Sequence, residues 1–171
     1  KDPNSSNVLA ADESVAKYLL SNYVTQRESF DFRDSDVKEI NRKFNIIKNN
    51  SSYLEYRGFR SQMNRSNPTS PIRFFGREVY KTVDILSLKF IKKKSRSKID
   101  SILTYFSPKS SDSAEVRFKA TTFSKNEDGK KVESSKKYLA KISFDFSGLN
   151  RNEKSGVLSF SVRDYDLFEI K

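Results

Sequence analysis

Asp31, Asp34 and Asp36 lie close enough in sequence to share a cation or to divide acid and base roles between them. Their spacing lacks the glycine of an EF-hand loop, and a turn that must cap the next helix calls for the same residues. A second concentration of charge, Lys92, Lys93, Lys94, Arg96 and Lys98, presents point charges suited to phosphates or anionic lipid head groups. No aromatic side chain for base stacking stands inside it, so it reads first as a solvated hairpin tip that also resists edge pairing. Tyr18, Tyr53, Tyr56 and Phe59 have the makings of a pocket lining, but without convergent polar groups they read as core. Histidine and cysteine are both absent. The commonest general base, the commonest metal ligand and any thiol nucleophile are therefore missing, as are a Gly-rich phosphate loop and a nucleophile elbow. No catalytic residue, cofactor or metal ligand is assigned.

The elements that would carry these residues fit one domain, since 171 residues stay below the size at which cores split. Hydrophobic content is only 35%, yet 14 Phe and 8 Tyr bury much apolar area per residue. Residues 1–11 have the composition of a flexible linker, leaving 12–171 as the domain. Asp12 caps a first helix, about Glu13 to Ser29, with Val15, Leu19 and Tyr23 along one face. Val37, Ile40, Phe44 and Ile47 mark a second helix, and Ser51 or Ser52 opens a third that Asn67-Pro68 and Ser70-Pro71 end. After Pro71 the apolar period changes from helical to alternating.

Ile72 to Ile91 reads as a long strand whose apolar parity switches from Val79, Val83 and Ile85 to Leu86, Leu88 and Phe90, which implies a bulge, a bend or burial on both faces. Ile99 to Phe106 returns as its partner. Ala114, Val116, Phe118 and Ala120 alternate with charges as a half-buried strand. Across the turn Asn126-Glu127-Asp128-Gly129, Tyr138, Ala140, Ile142, Phe144 and Phe146 answer it. A last strand carries Leu158, Phe160 and Val162 and continues towards Ile170. Helices followed by strands, each with one apolar face, give an α+β layer architecture.

Several strings then acquire a common meaning. Tyr23-Val24, Arg27-Glu28 and Phe30-Asp31 close the first helix, Phe75-Gly76 precedes the long strand, and Ala114-Glu115-Val116-Arg117-Phe118 forms a later one. In this order and spacing, from about Asp12 to Tyr165, the chain resembles the periplasmic domain of the eighth VirB protein, the bitopic inner-membrane scaffold of type IV secretion systems. The family's closing motif survives in part. Its second half is present as Phe160-Ser161-Val162-Arg163-Asp164-Tyr165, whereas Gly156-Val157-Leu158-Ser159 stands where an Asn-Pro-x-Gly turn is usual. The stretch from Lys92 to Phe106 also looks longer than the family's hairpin.

The resemblance implies an NTF2-like fold, with N-terminal helices packed on a strongly curved antiparallel sheet, and a scaffold function without catalysis. It implies periplasmic placement and contacts with other type IV secretion channel subunits. It also implies self-association, with Tyr23, Arg27, Gly156, Phe160 and Tyr165 marking the partner or self-association surface, and the missing Asn-Pro turn leads to the expectation that the homodimer is weak or differs in geometry from the family's. No apolar run here reaches the roughly 20 residues that span a bilayer, and the chain opens at Lys1 without Met. The resemblance implies that the anchor is one transmembrane helix upstream of Lys1. Two rival readings are kept. The net charge of +11 suits a nucleic-acid-binding accessory module, although no specific nucleic acid is expected. The fold also admits a small-molecule enzyme, which the absence of His disfavours.

Overall fold

The computed structural model describes the backbone of residues 3–31, 37–74, 79–91, 112–126, 128–147 and 158–171. Its elements run α1 (Pro3–Glu28), β1 (Phe30–Asp31), α2 (Val37–Asn49), α3 (Tyr53–Gln62), α4 (Pro71–Phe74), β2 (Tyr80–Ile91), β3 (Asp112–Lys125), β4 (Lys131–Ser147) and β5 (Ser159–Ile170). The strands form one antiparallel sheet in the order β1-β2-β3-β4-β5. It curves into a half-barrel whose inner face the helices cover, as the NTF2-like expectation required.

The β3–β4 hairpin is the spine of the sheet. Alternation places Ala114, Val116, Phe118 and Ala120 inward, opposite Ile142, Ala140, Tyr138 and Lys136. Asn126 and Gly129 close the turn, and Gly129 takes a φ of +75°, which a glycine adopts without strain. Val116, Phe118 and Ala140 have no exposed surface, and Ile142 and Phe144 have almost none.

Two bulges bend this sheet, and both keep apolar residues inside. The register shifts in β2 between Ile85 and Ser87, so Leu86 is left over and stands exposed. Val83 and Ile85 before it, and Leu88 and Phe90 after it, therefore all pack against the core. The second shift lies where Ser143 pairs Asp164 and Phe144 pairs Val162, which makes Arg163 the extra residue of β5. It turns the spacing Val162-x-x-Tyr165 into two inward-facing side chains, where an uninterrupted strand would send Tyr165 to the outer face.

Against the inner face α1 sets Ala16, Leu20, Tyr23, Val24 and Arg27, all buried at three-four spacing. The stripe expected through Val15 and Leu19 is thus rotated, although Leu19 still packs at its margin. Ile47 of α2 and Phe59 and Met63 from α3 and its C-cap complete the core. Ser52 caps α3, its Oγ accepting from the Glu55 N–H at 3.3 Å.

Three readings are corrected. The segment taken as a linker is helical from Pro3, whose fixed φ suits a first helical position. The long strand begins only at Tyr80, because Pro71–Phe74 forms a helical turn; Ser70 is buried just before it and accepts the Arg73 N–H. Of the four aromatics read as core, Phe59 is buried and Tyr56 packs against it, but Tyr18 and Tyr53 are 70% and 74% exposed. Both lie off their helices' apolar stripes. The strand expected at Ile99 to Phe106 and the Phe75-Gly76 pair lie outside the described residues.

Candidate functional site

Three pieces of the chain, far apart in sequence, meet under the half-barrel at one buried arginine. Tyr23 and Arg27 sit one helical turn apart near the end of α1, so their side chains point the same way. The segment Asn50–Ser52 joins the edge of β5: Val162 N–H donates to Asn50 O at 2.9 Å, and Ser52 N–H donates to Val162 O at 2.7 Å. That junction fixes the start of α3, and hence Ser51 and Glu55, against α1. The Arg163 bulge supplies Tyr165 from the third side.

Arg27 is 8% exposed and paired on every side. Its Nη1 lies 2.5 Å from Glu55 Oε1 and donates to the Tyr23 hydroxyl at 3.3 Å, and its Nε lies 3.8 Å from Glu28. The guanidinium plane stacks between rings, 4.2 Å from the centroid of Tyr165 and 5.1 Å from that of Phe59. Tyr23 and Ser51 hydroxyls bond at 2.8 Å. Burial raises the Glu55 carboxyl, with Arg27 opposing it. Burial likewise raises Tyr23, and it raises Tyr165 well above the usual phenol range, with Glu28 adding to the effect. These shifts favour neutral phenols and a carboxylate that leans on one arginine. Such a set clamps α1, α3 and β5 together, and it offers no activated nucleophile.

Beside the clamp lies a second cationic group. Lys43 of α2 donates from Nζ to the carbonyl of Ser29, which follows the end of α1. Burial first, and then the neighbouring Lys81, lowers its amine to about 8. Lys81 Nζ stands 3.6 Å from Glu28 and 5.3 Å from the Phe30 ring centroid. Arg27, Glu28, Phe30, Phe59, Met63 and Lys81 contribute to an open depression of about 350 Å³. A second, of about 320 Å³, lies between Leu19, Asn49, Asn50 and the start of β5 at Leu158 to Phe160.

The structure thus gathers Tyr23, Arg27 and Tyr165 in the interior, and Phe160 is buried on the same strand as Tyr165, its ring tilted against that of Phe144 with centroids 5.9 Å apart. None of the four presents a free side chain to a partner; they shape any contact surface from beneath. Glu55 and Ser51 complete the clamp and were missed, because an ion pair spanning 28 positions leaves no local pattern. Gly156 and the tract Lys92, Lys93, Lys94, Arg96 and Lys98 lie outside the described residues, as do Asp34 and Asp36. Asp31 is exposed. Among the described residues no helix is long and apolar enough to cross a membrane.

The family model described as VirB8 protein matches residues 3–155. Among solved structures, the chain is similar to the VirB8 protein of Agrobacterium tumefaciens, with 19% identity, a TM-score of 0.65 and 94% of each chain covered. It is similar to the soluble domain of TrwG from the type IV secretion machinery of Bartonella grahamii, at 16% identity and TM-score 0.62, over 92% of this chain and 94% of that one. It is also similar to a TraE protein in complex with 2-chloroisonicotinic acid, at 17% identity and TM-score 0.60, over 92% and 96%. No curated protein is matched. At these identities the structural likeness concerns the fold, while the family rests on the model match.

Proposed function

Because the chain belongs to the VirB8 protein family, we propose that it is a non-enzymatic assembly subunit of a bacterial type IV secretion system. In this reading it is the periplasmic domain of an inner-membrane protein anchored by one helix upstream, and it self-associates weakly and contacts other channel subunits. The observation that carries it is the convergence of the family strings. Tyr23, Arg27, Glu28 and Tyr165, which the resemblance singles out, meet in one buried clamp that locks the helices to the sheet. Residues selected for such a role serve a rigid surface, and none of them is poised for acid-base or covalent chemistry.

The test is co-purification. A tagged full-length protein, extracted in detergent from the cells that make it, is expected to bring down other subunits of the channel, and deletion of its gene is expected to stop secretion. Recovery of the protein alone, with secretion intact in the deletion strain, would overturn the reading. The charge of +11 leaves a nucleic-acid role to be checked directly. On plain duplex and single strands, binding is expected to be weak and to vanish with salt, as for any basic surface.

A further inference from the structure

We propose that the outer edge of β5 from Asp164 to Ile170 is a docking edge for an extended, basic segment of a partner protein, which would add to the sheet as another strand. β5 is the last strand in the order of the sheet. Its outer side is covered at Val162 by the backbone hydrogen bonds to Asn50 and Ser52, and at Arg163, whose carbonyl accepts from the Ser52 hydroxyl at 3.4 Å. Among the described residues nothing pairs with that side beyond this point. Edges left open in monomers are usually blunted by proline, lysine, a bulge or a short strand. Here the bulge at Arg163 comes before the open part, and the run Asp164-Tyr165-Asp166-Leu167-Phe168-Glu169-Ile170 contains no proline or lysine. Leu167 and Phe168, on opposite faces, are 42% and 46% exposed.

Charge selects the occupant. In a chain of net charge +11 this edge is acidic: Asp164, Asp166 and Phe168 alternate onto the outer face, and both aspartates act electrostatically on Glu55 behind them. Glu169, itself exposed, is engaged by Lys136 at 2.9 Å and Arg163 by Asp145, and Asp166 stands opposite Lys141 of β4 with no ion pair between them among the described residues; Asp164 and Asp166 are the carboxylates of the run that face outward. A second copy of this edge fits poorly. Antiparallel pairing centred on Asp166 sets Asp166 against itself, centring one half-step on sets Asp164 against Glu169, and centring on Leu167 sets Arg163 against Lys171. A strand with Lys or Arg at alternate positions instead places cations beside Asp164 and Asp166, and its other face beside Leu167. The proposal names one contact face of the assembly role above and rests on that role for its biological partner.

The probe is a capped octapeptide of alternating Lys and Val, with an alternating Glu and Val peptide and a fully N-methylated Lys-Val peptide as controls. The Lys-Val peptide is expected to bind and to protect amides within residues 164–170 from hydrogen exchange. Both controls are expected to bind at least about tenfold more weakly, because one reverses the charge and the other removes the backbone donors. The double variant Asp164→Lys, Asp166→Lys, whose circular dichroism and melting should match the parent since both sites are exposed, is expected to weaken the Lys-Val peptide about tenfold and to improve binding of the Glu-Val peptide. Equal binding of the N-methylated peptide, protection elsewhere in the sheet, or binding unchanged in the double variant would each overturn the proposal. Protection of 164–170 that rises with protein concentration in the absence of peptide would also overturn it, in favour of a second copy. Failure here leaves the co-purification result untouched, so the two readings fail separately.

Discussion

At the scale of single residues, stability rests on how a few charges are held out of water. Arg27 is the costliest to disturb, since its removal leaves Glu55 buried without its cation and empties the space between the Tyr165 and Phe59 rings. Arg27→Ala is expected to destabilise the domain by about 3 to 5 kcal/mol, read from urea unfolding, whereas Arg27→Met with Glu55→Met, which removes both charges and keeps volume, should recover most of it. A double variant as unstable as Arg27→Ala would show that the rings, and not the charge pair, carry the cost. Lys43 gives a pH signature. Its folded amine titrates near 8 and the unfolded one near 10.5, so between these values the unfolded chain binds more protons and stability rises with pH. Below pH 8 both forms are protonated and the cost of burying the charge is constant. The stability difference between the parent chain and Lys43→Met should therefore grow in favour of the parent from pH 8 to 10.5, by at most about 3 kcal/mol. A flat difference would place Lys43 in water.

At the scale of elements, the bulges decide which side chains reach the core. Deleting Arg163 would join Val162 directly to Asp164, opposite the consecutive Phe144 and Ser143, and so keep Tyr165 and Leu167 inward while removing the bend that the extra residue makes. The deletion is therefore expected to leave the domain folded at a cost of about 1 to 3 kcal/mol for the lost bend, while Arg163→Ala, which keeps the extra residue, should cost under about 1 kcal/mol because its pair with Asp145 is exposed, both read from urea unfolding. A deletion that abolishes folding would mean that Arg163 is not the surplus residue of this register. The switch of parity around Leu86 was readable from sequence because it reverses which residues are apolar, and the β3–β4 hairpin was readable because its alternation is unbroken. The Arg163 bulge was not recognised as one, since polar residues on both sides of it hide the change of phase. The helical start at Pro3 and the turn at Pro71–Phe74 were missed for a related reason: polar and proline-containing stretches carry no period. The clamp was half readable. Tyr23, Arg27 and Tyr165 were named as a surface, but their burial depends on Ser51 and Glu55, which only the folded chain brings beneath α1.

At the scale of the whole molecule, charge opposes self-association while exposed apolar groups favour it. Two copies carrying +11 each repel over distances that salt screens, with a Debye length of about 10 Å at 0.1 M and about 3 Å at 1 M. Tyr18 at 70% exposure, and Tyr53 and Leu54 at 74%, each expose apolar area that a second copy would remove from water. The sequence Gly156-Val157-Leu158-Ser159 lacks the proline that fixes φ near −65° at this point in the family the chain resembles, so ordering it in an interface costs more conformational entropy. These effects combine into one expectation for sedimentation equilibrium: a weak dimer whose affinity rises about tenfold or more between low and high salt, as screening removes the repulsion and leaves apolar burial in place. Replacing Gly156 by Pro should not tighten it unless the turn lies in the interface, and Tyr18→Ser should weaken it at every salt concentration if α1 does. A tight dimer insensitive to salt would mean that the interface pairs opposite charges, in which case the acidic edge of β5 facing a basic surface of the neighbouring copy becomes the arrangement to examine by cross-linking at Asp166→Cys.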